Sequence, residues 1–289
     1  MSTTTKPVSI FVDENDKLPF NQQETTNELI DYSFISSDEI FKDPYFSDES
    51  IPIEERALMF FPDIIGHKAI KIMVFRALLR GNRNISILLV GVPANGKTLF
   101  MKAIVKGCNK VLYYDASSGS TGAGLIRLLR QNLDANVLII DEFSELNKDD
   151  IEVMRGLLND GTVNKALKTD IIDFKMVNLK VFATTNNPTK LSKPIKSRFQ
   201  MYHIPEYSDK EFVQVMNHCL IKQDIIKDTK LADQLSNAMV FYGIKNIRVA
   251  LSVCSLIHDG DDTADIKYII ENFLKYDASK LNINYNEQD

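Results

Sequence analysis

Cysteine is scarce in this chain: Cys108, Cys219 and Cys254 are three in number, scattered, and form no CxxC pair. Such a set argues against a disulfide or metal framework and fits reduced thiols. The four histidines do not cluster with acids at ligand spacing, so no zinc site is expected. No apolar run approaches the roughly 20 residues of a membrane span, so no membrane partner is expected. The opening residues, MSTTTKPVSIFVDEN, have no basic-then-apolar pattern. A secretory leader is therefore not expected, and the expected location is cytoplasmic. No internal repeat is visible. The 289 residues have room for one large or two modest domains.

Charge is unevenly placed. Residues 1–57 carry 13 acids against 4 bases, net −9, and residues 58–289 carry 26 against 30, net +4, which sum to the overall −5. The acidic head is polar and without periodicity, and reads as a largely disordered segment. Its short apolar pieces, Ile40-Phe41 and Tyr45-Phe46, are candidates for docking on the body or on a protein partner.

From residue 58 the pattern changes to alternating elements. Residues 64–81 are apolar at helical spacing. ISILLV before Gly91, KVLYYDA (110–116), NVLIIDE (136–142) and LKVFATTN (179–186) read as strands. Helical runs lie between them at 97–107, 123–133 and 149–161. Near-continuous apolar strands alternating with helices predict an α/β fold with a parallel sheet covered on both faces. After about residue 206 the strands stop, and four helical segments predict a small all-helical domain. Its first helix opens on Ser208 with Glu211 three residues on, a capping box. The expected boundaries are an acidic segment 1–57, an α/β domain 58–205, a helical domain 206–277 and a tail 278–289.

The stretch GVPANGKT comprises Gly91, Val92, Pro93, Ala94, Asn95, Gly96, Lys97 and Thr98, between a strand and a helix. In that context it is a P-loop, whose amides and helix N-terminus hold phosphate oxygens. Lys97 is expected to reach the outer phosphates of ATP, and Thr98 to ligate Mg²⁺. Ala94 is compatible with the loop if its φ is negative, and a left-handed conformation there would cost about 1 kcal/mol or more; Asn95 is expected to make a polar contact near the phosphates or to a neighbouring subunit. Asp141, at the end of VLIIDE, is the second candidate for Mg²⁺. Glu142 beside it is the candidate general base.

These motifs and their order resemble the AAA+ ATPases over about residues 60–260. The resemblance implies a P-loop NTPase core followed by a helical lid, and a homo-oligomeric ring, expected to be a hexamer. It implies that DIIGH (63–67) packs near adenine, making Ile65 and Gly66 candidates, with His67 where a glutamine is common. VFATTNNP (181–188) is similar to the sensor 1 strand, with Asn186, which ends the strand, as the amide and Asn187 as the alternative. PIKSRF (194–199) is similar to the arginine-finger box, which implies that Arg198 acts on a neighbour's ATP. NIRVALSVC (246–254) resembles the sensor 2 helix, with Arg248 reaching the γ-phosphate and Lys245 as a lesser candidate.

Residues 160–182 read as two extended runs around a polar turn with Lys165 and Lys168. This resembles the hairpin before sensor 1 in the branch containing RuvB, MCM and MoxR proteins. Two readings of the client follow. In a RuvB- or MCM-like DNA motor, Lys165 and Lys168 would touch phosphates in the ring's pore. In a MoxR-like chaperone, a protein would be remodelled or a metal installed. RuvB continues into a winged helix, for which residues 259–289 are too few. The loop SSGSTGAG (117–124) has no aromatic residue to grip a threaded polypeptide.

Overall fold

The computed structural model describes residues 40–80, 84–118, 122–166, 171–258 and 260–276. Among them, the strands are β1 (Ile85–Val90), β2 (Val111–Asp115), β3 (Val137–Asp141), β4 (Thr162–Ala166), β5 (Ile171–Lys175), β6 (Lys180–Thr185) and β7 (Gln200–His203). Five of them form one parallel sheet in the order β2-β3-β6-β1-β7. β4 and β5 pair antiparallel as a separate hairpin, with Lys165 opposite Ile172.

Alternation along the strands explains how both faces become buried. Leu88, Leu138, Ile140, Val181 and Ala183 face one side. They pack with α4 (Gly122–Arg130), α5 (Lys148–Asp160) and the hairpin residues Val163 and Ile172. Ile87, Leu89, Val137, Ile139 and Phe182 face the other side. There they meet α1 (Ile53–Phe60), α2 (Lys68–Leu79) and α3 (Lys97–Gly107). α5 closes at Gly161 and leads straight into the hairpin.

The short α6 (Lys193–Lys196) precedes β7, which extends the sheet at its edge beside β1. The helical part that follows comprises α7 (Asp209–Lys222), α8 (Thr229–Phe241), α9 (Ile247–Cys254) and α10 (Thr263–Tyr276). It has its own core, with Phe212, Met216, Leu235, Met239, Ala250 and Val253 at its centre. The Ser208–Glu211 capping box is present in both directions.

Two expectations need correction. The disordered reading of 1–57 fails for residues 40–57. Ile40 and Phe41 are buried, Phe41 bridges to Cys108, and α1 begins at Ile53. The cause is long-range: Phe41 stacks on Phe75 at 5.4 Å and meets Phe60 edge-on at 5.6 Å. Aromatic burial of this kind outweighs the local acidity. Residues 1–39 of that segment, the tip of the hairpin with Lys168, and the tail 278–289 lie outside the described residues. The second correction is β7, which was not expected because QMYH is short and mostly exposed.

Candidate phosphate-binding site

β1 ends at Val90 and the chain turns through the P-loop into α3. Lys97 is buried, and its ammonium donates to the carbonyls of Gly91 at 2.9 Å and Val92 at 2.7 Å. Burial pulls its pKa below the ordinary lysine value. Glu142 and Asp141 oppose that shift, and the charge of Arg248 adds to it. Charges from two distant stretches of the chain, Asp141–Glu142 and Arg248, thus act on Lys97.

The loop's glycines are required by close approach. A methyl at Gly91 would stand 2.7 Å from the Ile204 carbonyl, and one at Gly96, where φ is +81°, would stand 2.9 Å from the Tyr207 hydroxyl. Of the two conformations open to it, Ala94 takes the costlier, with φ at +67°. The left-handed conformation costs an alanine about 1 kcal/mol. Asn95 departs from what was expected: it faces neither open loop nor outer surface. It is buried and its amide donates to the Pro205 carbonyl at 3.1 Å.

Asp141 ends β3 beside the loop. Thr98 Oγ1 lies 3.5 Å from its Oδ2, and the Tyr113 hydroxyl donates to the same oxygen at 2.8 Å. Thr184 donates to the other oxygen, while its own Oγ1 accepts from the Glu142 backbone N–H at 3.0 Å. One hydroxyl on β6 therefore fixes both acids. Glu142 has φ +55°, and its carboxylate accepts from the backbone and side-chain amides of Asn186. Asn187 is turned elsewhere, accepting from the Thr189 N–H at 3.1 Å to cap a short turn. The structure thus brings Asn186, not Asn187, to Glu142.

Thr184 and Tyr113 were not singled out from the sequence. The register β3 to β6, with Ile140 opposite Ala183, places Thr184 next to Asp141 and is the signal for it. Nothing local signals Tyr113.

Ile65 packs against the core of the helical domain. Gly66 and His67 both adopt positive φ. His67 lies 5.2 Å from the Tyr207 ring, and burial lowers its pKa. Its Nε2 is buried with no hydrogen-bond partner among the described residues.

Three predicted residues stand apart. Arg198 follows α6 and its Nη1 donates back to the Pro194 carbonyl at 2.5 Å. Its Nε is buried with no hydrogen-bond partner among the described residues. Lys245 is paired with Asp209 at 2.7 Å. Lys165 is paired with Asp149 at 3.4 Å and its side chain is only 18 % exposed, which differs from the free pore-facing cation expected.

The donor set suits a nucleoside triphosphate with Mg²⁺. The hydroxyl of Thr98 and the carboxylate of Asp141 are hard oxygen donors on one spot. Lys97 now holds carbonyls of its own loop, an arrangement that phosphate oxygens would replace. The buried Nε2 of His67, beside Tyr207, is a further polar atom with no partner among the described residues.

A parallel sheet in this order, a P-loop beside paired acids and a helical lid define a P-loop ATPase module of the AAA+ class. Comparison with known proteins agrees. The model of the "ATPase family associated with various cellular activities (AAA)" matches residues 87–205. The chain is similar to the Holliday junction branch migration complex subunit RuvB of Fervidobacterium nodosum, at 24 % identity over 54 % of this chain and 48 % of that protein. It is also similar to the DNA replication licensing factor mcm2 of Schizosaccharomyces pombe, at 22 % identity over 64 % of this chain and 25 % of that protein. A spastin homolog of Caenorhabditis elegans matches at 30 % identity over 42 % of this chain and 26 % of that protein. The chain thus spans about half or less of these relatives' length. In fold it resembles the Thermotoga maritima RuvB Holliday junction branch migration motor, with TM-score 0.53 and 18 % identity over 72 % of this chain and 70 % of that one. Residues 87–205 thus carry an AAA ATPase domain, and the chain is similar in sequence to RuvB and MCM proteins.

Proposed function

We propose that the chain binds and hydrolyses ATP as one subunit of a ring, a hexamer, and uses the energy to move DNA. The observation that carries the hydrolytic reading is the Glu142–Asn186 pair beside Lys97, Thr98 and Asp141. In this reading Lys97 leaves the Gly91 and Val92 carbonyls to hold the outer phosphates. Thr98 and Asp141 hold Mg²⁺, which neutralises charge on the phosphate oxygens when bound. Tyr113 and Thr184 keep the Asp141 carboxylate aimed. Glu142 takes a proton from the attacking water, and Asn186 aligns the two. Ile65 and Gly66 flank the base, and Arg248 approaches the phosphates from the lid. Domain boundaries near 58, 205 and 277 go with this reading, with residues 40–57 belonging to the ATPase body.

Arg198 supports the ring. Its bond to Pro194 leaves it outside its own chain's acid cluster, as an arginine serving a neighbour would be. DNA as client is supported by the names of two relatives, one in branch migration and one in DNA replication. Lys165 would then exchange Asp149 for a phosphate, and Lys168 would join it. The acidic segment 1–39 remains a candidate docking element for a protein partner.

The test is the ATPase rate with single-stranded, duplex and four-way DNA at two salt concentrations. The expected result is stimulation that weakens as salt rises, because backbone contacts release counterions. A rate indifferent to all three overturns the DNA reading and favours a MoxR-like protein client.

A further inference from the structure

Two residues make this P-loop unusual, Ala94 and Asn95, and both make contacts on the side of the helical part and its connector. Asn95 is 6 % exposed, with its amide on the carbonyls of Pro205 at 3.1 Å and Ile204 at 3.5 Å. Those carbonyls lie on the connector between β7 and α7, the strand that ends the ATPase sheet and the helix that opens the lid. Ala94, held at φ +67°, packs against the lid core. Strain kept at a ligand loop is maintained by what surrounds it. Here the surroundings are the lid. A cavity of about 260 Å³ opens in the same seam, between Val92, Pro93 and Asn95 on one side and Tyr207, Lys245 and Asn246 on the other. Asn246 caps the helix that carries Arg248. The seam therefore joins the phosphate loop to the lid's candidate phosphate contact.

We infer that Asn95 is a positioning residue that fastens the phosphate loop to the lid connector, so that loop occupancy sets the lid's orientation and with it the approach of Arg248. This rests on the ATP reading above. Its physical content is simple. A loop tied to the connector by two hydrogen bonds and a partly buried methyl cannot rearrange around phosphates without moving the connector. An untied loop can. Because the amide donates to carbonyls, an aspartate at 95 would set a carboxylate against two acceptors and loosen the seam further than alanine.

The experiment attaches a donor and acceptor fluorophore to the full chain, at Arg127 on α4 and Lys267 on α10, each replaced by cysteine in a background with the native cysteines removed. Energy transfer is read with and without ATP, beside binding of a fluorescent ATP analogue and steady-state hydrolysis. Asn95→Ala is expected to bind the analogue within about threefold of the parent, yet to lose most of the ATP-induced change in transfer. Its kcat falls about five- to tenfold with KM nearly unchanged, the size expected for losing hydrogen bonds that matter only in the aligned state. Asn95→Asp should be more severe, and Ala94→Gly, which relaxes the backbone and removes the methyl, milder in the same direction. Parent-like transfer changes and kcat in Asn95→Ala overturn the proposal. If Asn95→Ala does not fold, parent-like behaviour of Ala94→Gly overturns it instead. A parent chain that fails to bind the analogue overturns the ATP reading itself, which is a separate result.

Discussion

Glu142 is the residue on which the proposed chemistry turns, and its neighbours decide what substitution should do. Its carboxylate accepts from both amides of Asn186, and its backbone N–H is fixed by Thr184. Replacing it with glutamine keeps the shape and removes the base. Glu142→Gln is therefore expected to bind ATP and to hydrolyse it about 100-fold or more slowly. Asn186→Ala should lower kcat with little change in KM, since its amide acts on the base and not on ground-state binding. Binding by a fluorescent analogue, run beside steady-state kinetics, separates the two effects. Full activity in Asn186→Ala would remove it from the site. Ala94 makes the complementary point about the loop. One methyl at positive φ is a small cost, on the order of 1 kcal/mol, and contact with the lid can offset it.

At the level of elements, β6 illustrates both what local pattern reveals and what it hides. Its apolar run marked it as a central strand, and it lies between β3 and β1. Lys180 at its start is nonetheless fully buried, and burial brings its pKa down to about 8 from the ordinary 10.5. Between those values the unfolded chain holds more protons than the folded one, so stability rises with pH across that window. Below about pH 8 both states are protonated and the contribution is flat. Lys180→Met should remove this slope, which is worth at most about 3 kcal/mol. The check is Tm against pH from about 7 to 10.5 for both chains, and an unchanged slope in the variant would show that Lys180 is not its source. The alternation of strands and helices, the capping box at Ser208 and the phosphate loop were all legible, because each is written in neighbouring residues. β7 was not, because its short, mostly exposed run carries no period. The docking of Ile40 and Phe41 was not, because it depends on rings distant along the chain. Thr184 became a site residue only through the pairing of β6 with β3. The αL turn at Ala94 had no signal, since the residue type argues against the conformation it adopts.

For the whole molecule, the open question is whether one chain is a complete enzyme, and Arg198 is where that can be decided. It is the one member of the proposed catalytic set that bonds its own helix and does not act on the Lys97 cluster in the interactions described. If it serves a neighbour, a site needs the P-loop of one chain and Arg198 of the next, a head-to-tail contact that closes into a ring. Lys97→Ala should lose ATP binding and Arg198→Ala should keep it, and each alone should fail to hydrolyse. A mixture is different. At equal amounts with free exchange, about a quarter of interfaces join an intact P-loop from an Arg198→Ala chain to an intact Arg198 from a Lys97→Ala chain. The mixture should therefore recover up to about a quarter of the parent's rate, following the product of the two fractions as the ratio is varied. Crosslinking of labelled chains establishes that exchange has occurred. An arginine that acts within its own chain gives no recovery at any ratio, and that outcome would place every functional group of this ATPase in a single chain.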